Sequence, residues 1–63
     1  MFATPMQHFV INTIKRTGQY NLMISELTVR EYKEFKELLE EGLIEEVDLL
    51  VYIFTERGKN ECY

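Results

Sequence analysis

The sequence predicts a small α+β domain of two main helices, a β-hairpin and, at most, one further short strand. Three observations lead to this fold class. Segment 28–41 has the end signals and periodicity of an amphipathic helix, a glycine follows it, and a very short turn separates two strand-like segments after that glycine. The 63 residues have room for one domain, 1–63, with a small core, because a chain of this length buries only about 60% of its unfolded surface.

The first helix is predicted to run from Pro5 to about Thr17. Thr4 can cap it, and proline is well tolerated at the first helical position because the N–H that it lacks would have no partner there. Gly18 supplies the left-handed residue that commonly follows a helix. The apolar residues with helical spacing predict the buried face of this helix: Met6, Phe9, Val10 and Ile14.

Residues 20–24 are predicted to form the further short strand. The three residues after it are too few for a regular second helix before segment 28–41 begins. Two alternatives stay open here. Ile24–Leu27 forms a single stub turn, or one helix begins near Ser25 and continues into segment 28–41.

The main helix is predicted over segment 28–41. Thr28 and Glu31 have the spacing of a capping box. Gly42 is expected at positive φ, with Leu43 packed back on Leu38. One face is apolar and predicted to be buried: Val29, Tyr32, Phe35, Leu38, Leu39 and Leu43. The opposite face is charged and available to a partner: Arg30, Lys33, Glu34, Glu37, Glu40 and Glu41.

Two strands are predicted after this helix, over Leu43–Val47 and Leu49–Phe54, with a very short turn at Asp48. The second strand is apolar on both faces, although helices can cover only one face of so small a sheet. A second copy of the chain is the expected cover, so the sequence predicts a homodimer. The candidate residues for this dimer or partner face are Leu49, Val51 and Ile53.

Two stretches have a spacing typical of a known family: LLEEGLIE at Leu38–Glu45 and YIFTERG at Tyr52–Gly58. With them the chain, from about Met6 to Gly58, resembles the winged helix-turn-helix domain. The resemblance implies that segment 28–41 is the recognition helix and that the hairpin is the wing. The chain departs from the family in its shortened second helix. The further helix that commonly follows the T-x-x-G element is also expected to be absent.

The charge of the chain is uneven. Residues 1–24 carry two bases and no acid, whereas residues 25–63 carry five bases and eleven acids, and the net charge is −4. Charge therefore disfavours DNA and anionic membranes as partners.

No segment is apolar over the length of a membrane span, and Cys62, the only cysteine, cannot form an intrachain disulfide. The expected location is the cytoplasm.

The residue types that usually carry catalysis lack the context that they need. His8 has no Cys, Asp or second His at ligand spacing, Ser25 lies in no nucleophile motif, and Cys62 has no base near it in sequence. The three glycines form no phosphate-binding loop. The sequence predicts no enzyme, no metal, no cofactor and no small-molecule substrate.

The helix glutamates are expected in i,i+4 ion pairs, Arg30 with Glu34 and Lys33 with Glu37 among them.

Two functions follow from these observations. The resemblance implies a DNA-binding transcription regulator whose recognition helix enters the major groove. The alternative is a protein-interaction module, for example of a phage or mobile element, whose acidic helix and wing bind a basic host protein. Acids on the wing, at Glu45, Glu46 and Asp48, count against DNA. The candidate binding residues are Thr28, Arg30, Lys33, Glu34 and Glu37 on the helix, with Lys15, Arg16, Tyr20 and Asn21 expected near phosphates.

Overall fold

The computed structural model describes residues 4–62, which form three helices and one three-stranded antiparallel sheet. The predicted α+β class is confirmed. No helix within these residues is both long and apolar enough to cross a membrane. The elements in chain order are α1 Pro5–Thr17, β1 Tyr20–Asn21, a 3₁₀ turn Ile24–Glu26, α2 Val29–Glu40, β2 Ile44–Asp48, β3 Val51–Phe54 and α3 Glu56–Cys62.

Helix α1 begins and ends at the predicted residues. The Thr4 hydroxyl accepts a hydrogen bond from the Gln7 amide at 3.2 Å, and Gly18 ends the helix at φ +96°. The prediction for Phe9 is wrong, because its side chain is 57% exposed. The Tyr20 ring occupies the core beside it, with the two ring centroids 6.1 Å apart in an edge-on contact. The residues of α1 that face the core are Met6, Val10, Ile11 and Ile14.

Helix α2 has both hydrogen bonds of the predicted capping box. The Glu31 amide donates to the Thr28 hydroxyl at 3.1 Å, and the Thr28 amide donates to the Glu31 carboxylate at 3.0 Å. Gly42 has φ +76°, and the Leu43 amide donates to the carbonyl of Leu38 at 3.2 Å, so the predicted ending is confirmed.

The predicted buried face of α2 is only partly correct. Phe35 and Leu38 are buried, but Val29 is 88% exposed and Tyr32 is also exposed. Helix α1 and the sheet cover the side of α2 that carries Phe35, and the core of so short a chain extends no further around the helix.

The sheet has the strand order β1-β3-β2. Strand β1 is shorter than the predicted 20–24, and it pairs Tyr20 with Tyr52. The β2–β3 register shifts between Glu46 and Asp48, so Val47 forms a bulge. The hairpin turns one residue later than expected, after Asp48, and Leu50 takes φ +58° there.

The two alternatives for the second helix are resolved in favour of the stub. The 3₁₀ turn Ile24–Glu26 is separate from α2, because Leu27 and Thr28 are extended between them. The turn is held by the Leu27 amide, which donates to the carbonyl of Ile24 at 3.1 Å.

The expectation that no further helix follows the T-x-x-G element is wrong, since residues 56–62 form α3. The Thr55 hydroxyl accepts from the Gly58 amide at 3.0 Å and donates to the Gly42 carbonyl. The Thr55 amide donates to the Leu43 carbonyl at 3.0 Å. Gly58 is buried against that same carbonyl, and Cys62 packs against the core. Helix α3 therefore joins the base of the hairpin to the end of α2.

Candidate interaction surfaces

The exposed face of α2 is mixed rather than purely charged. Val29 and Tyr32 lie on it beside two lysines, and the Lys36 ammonium is 5.8 Å from the centroid of the Tyr32 ring. These side chains form a shallow depression of about 360 Å³, which we call the α2 face. Its lining residues are Val29, Tyr32, Lys33, Lys36, Glu37 and Glu40.

The candidate binding residue Arg30 lies on α2 next to Val29 and forms the predicted ion pair. Its Nε is 3.4 Å from a Glu34 carboxylate oxygen, and the Arg30 side chain is 89% exposed. The Glu34 side chain is only 16% exposed, so the pair is open to solvent on the Arg30 side alone. Thr28 is exposed, but the capping box already engages its hydroxyl and its amide.

Glu37 has a structural role that no local sequence pattern indicates. Its carboxylate accepts a hydrogen bond from the Gln7 side-chain amide at 2.8 Å, and the same amide group donates to the Glu34 carbonyl at 3.0 Å. Gln7 is only 6% exposed and is the buried polar residue of the core. It therefore ties α1 to α2, and Glu37 is held toward α1 rather than by the predicted ion pair with Lys33.

The acids of the hairpin hold its turn. The Asp48 carboxylate accepts from the Leu49 amide at 2.7 Å, and the Glu46 carboxylate accepts from the Leu50 amide at 3.0 Å. Burial raises the pKa of Tyr52, and the adjacent Glu46 carboxylate raises it further. Beside these exposed carboxylates the tip also presents two apolar side chains to solvent, since Val47 is exposed and Leu49 is 82% exposed.

The candidate dimer residues lie on two parts of the hairpin. Val51 and Ile53 are half-buried on the outer face of β3, opposite the buried Tyr52 and Phe54, whereas Leu49 lies in the turn. Within residues 4–62, no element packs fully over this outer face, so it stays apolar and partly exposed.

The residues expected near phosphates differ in their exposure. Lys15 and Arg16 are exposed in the last turn of α1, and Asn21 is exposed on β1, where it accepts a hydrogen bond from the Gln19 side chain at 3.1 Å. Tyr20, by contrast, is a core residue that packs against Phe35 with ring centroids 5.7 Å apart.

A second concave surface, which we call the α1–β1 groove, has a volume of about 780 Å³. It lies between α1, β1 and the start of α2. Two carboxylates, Glu26 and Glu31, line it. Burial raises the pKa of Tyr20, and these two carboxylates raise it further. The groove is lined by Pro5, Met6, Phe9, Thr13, Thr17, Gln19, Tyr20, Asn21, Met23, Glu26, Leu27 and Glu31. The features that indicate this groove are the exposed side chains of Phe9 and Met23. The sequence did not reveal it, because helical spacing assigned Phe9 to the buried face of α1.

No group of three or more His, Cys, Asp or Glu residues within 4–62 is arranged to hold a metal ion. His8 is exposed on α1. Burial raises the pKa of the Cys62 thiol, and Glu61 adds to that effect against the smaller opposite influence of Lys15. A thiol with a raised pKa is a poor nucleophile at neutral pH.

Comparison of the chain with protein-family models, with curated proteins and with solved structures finds no match.

Proposed function

We propose that the chain is a non-enzymatic, winged-helix-like protein-interaction module that binds a partner protein through the α2 face. The observation that carries the proposal is the exposure of Val29, at 88%, in the first turn of α2. The first residues of a recognition helix are the ones that contact base edges in DNA-bound helix-turn-helix proteins. A valine followed by an exposed tyrosine at that place suits an apolar protein contact better than a polar groove.

The charge of the molecule suggests the chemistry of the partner. The chain has a net charge of −4, and six of its acids lie between residues 37 and 48. A partner surface with an apolar centre and a basic rim complements both properties, and opposite charges would speed the encounter. We infer that the module acts in the cytoplasm, where its single cysteine stays reduced.

The DNA-binding regulator is the second candidate, and one observation favours it. Arg30, Lys33 and Lys36 all reach solvent from α2, so the helix presents three bases to a groove. Against it, the α2 face also carries Glu40, and the hairpin carries acids where a wing would meet phosphates.

The direct test is co-purification from the native cell with and without nuclease. We expect a protein that survives nuclease treatment and is lost when Val29→Ser and Tyr32→Ser are combined. Ile24→Ser is the matched control, because Ile24 is an exposed apolar residue off the α2 face, and it should leave recovery unchanged. Recovery that depends on nucleic acid, or that ignores the double variant, would overturn the proposal.

A titration with random duplex DNA separates the two candidates. At about 150 mM salt we expect affinity weaker than about 100 µM, the loose end of nonspecific binding. Micromolar binding would favour the regulator. In that case Arg30→Ala should relax base preference, whereas Lys15→Ala should weaken binding to all sequences about equally.

A further inference from the structure

The α1–β1 groove is independent of the α2 face, with which it shares no residue. Its walls include Phe9, 57% exposed on α1, and Met23, 53% exposed before the 3₁₀ turn. Met6, Tyr20 and Leu27 are buried or half-buried between them. Exposed aromatic and methionine side chains around a concave surface are typical of sites that accept apolar side chains of a partner, since methionine adapts its shape easily.

The charge of the groove has one sign. Its lining includes Glu26 and Glu31, and it contains no lysine, arginine or histidine among the described residues. Glu31 is fixed in place because its carboxylate accepts the Thr28 amide, whereas Glu26 is exposed. An occupant with basic residues beside its apolar ones would therefore be favoured over an acidic one.

The backbone around the groove favours a helical occupant over an added strand. The edge strand at the groove, β1, has only two residues, so it offers few backbone groups to a further strand. An amphipathic helix needs no such groups, because it presents apolar side chains at i, i+4 and i+7 from one face.

We propose that the α1–β1 groove binds a basic amphipathic helix of a partner protein, with apolar side chains of that helix between Phe9 and Met23 and its lysines or arginines at Glu26 and Glu31. The site goes beyond the proposed function, because it would give the module a second contact. Its test does not depend on whether the α2 face binds anything.

The probe is a synthetic helical peptide of about 18 residues, or five turns, with leucines along one face and lysines on both flanks. A matched peptide has glutamate in place of every lysine. Binding is measured by calorimetry and located by amide chemical shifts of the full chain. We expect the lysine peptide to shift the signals of Phe9, Met23 and Leu27, and to bind about tenfold more tightly than the glutamate peptide, as two exposed charge pairs would allow.

Two sets of variants test the groove. Combining Glu26→Gln with Glu31→Gln should remove most of the preference for lysine, while glutamine at the third helical position keeps the capping box. The control with the same charge change, Glu40→Gln with Glu45→Gln, lies outside the groove and should preserve the preference. Phe9→Ala should weaken binding at least tenfold, whereas Val29→Ala should not.

Three results would overturn the proposal. The first is equal binding of the two peptides, and the second is a set of shifts located on the α2 face or the hairpin instead of the groove. The third is a contact between Phe2 and Phe9 in the free protein, seen as a nuclear Overhauser effect that the lysine peptide does not displace. That result would assign the groove to the first residues of the chain itself.

Discussion

At the scale of single residues, Gly58 is a position where packing reverses an ordinary helix rule. Alanine normally stabilises a helix relative to glycine by about 1 kcal/mol. In α3 a Cβ on residue 58 would overlap the Leu43 carbonyl, so we expect Gly58→Ala to destabilise by about 2 kcal/mol or more. Urea unfolding measures the change. Asn60→Ala, at an exposed position of α3, should be neutral or stabilising, and equal stability of both variants would mean that α3 does not pack on Leu43.

Tyr20 makes the stability of the protein sensitive to alkaline pH. Burial, then Glu31 and Glu26, raise the pKa of its phenol above the usual value of about 10. Since the folded state holds this proton more tightly, the contribution is complete below pH 10 and is lost as pH rises through the folded pKa. Tyr20→Phe should therefore gain stability relative to wild type as the pH rises from about 10 toward 11.

Urea unfolding of both proteins across that range gives the comparison, and lysine titration affects the two proteins alike. A difference in unfolding free energy that stays constant with pH would contradict this account of Tyr20.

At the scale of the elements, Gln7 determines how α1 and α2 pack together. Its side-chain amide donates to both Glu34 and Glu37, and methionine has a similar volume without either hydrogen bond. Gln7→Met should cost about 1–2 kcal/mol in urea unfolding. The control is Gln19→Met, which removes an exposed hydrogen bond to Asn21 and should cost less than about 0.5 kcal/mol. Similar costs for the two variants would show that the tie between the helices contributes nothing.

The ends of the elements could be predicted from sequence because their causes are local. Thr4, Thr28, Gly18 and Gly42 act on residues within about one turn, and the structure confirms each of them. Thr55 caps α3 in the same way, since its hydroxyl accepts from the Gly58 amide.

Burial and the candidate sites were harder to predict because they depend on what lies opposite each residue. Helical spacing placed Val29 with Phe35, yet α1 and the sheet cover only the second of these. The role of Gln7 and the α1–β1 groove require the distance between α1 and residues 23–37, which no local pattern contains.

At the scale of the whole molecule, the hairpin supports the predicted homodimer as a proposal. Leu49 is 82% exposed, and Val51 and Ile53 lie half-buried on the outer face of the sheet. Light scattering at micromolar concentration should give about twice the chain mass of 7.6 kDa. Leu49→Lys should return the monomer, whereas Val29→Lys, equally exposed on α2, should not. A monomeric wild type would remove the proposal.

Because α3 is attached to Leu43, the hairpin is also held firmly at its base and only weakly at its tip. At its base, the backbone of residues 42–43 is held by Thr55 and Gly58, whereas at its tip the turn depends on the exposed carboxylates of Glu46 and Asp48. Amide hydrogen exchange should therefore be slow for Thr55 and fast for Leu49 and Leu50, although one strand separates them. The tip can then adapt its shape to whatever it meets while the base keeps its direction relative to α2 unchanged.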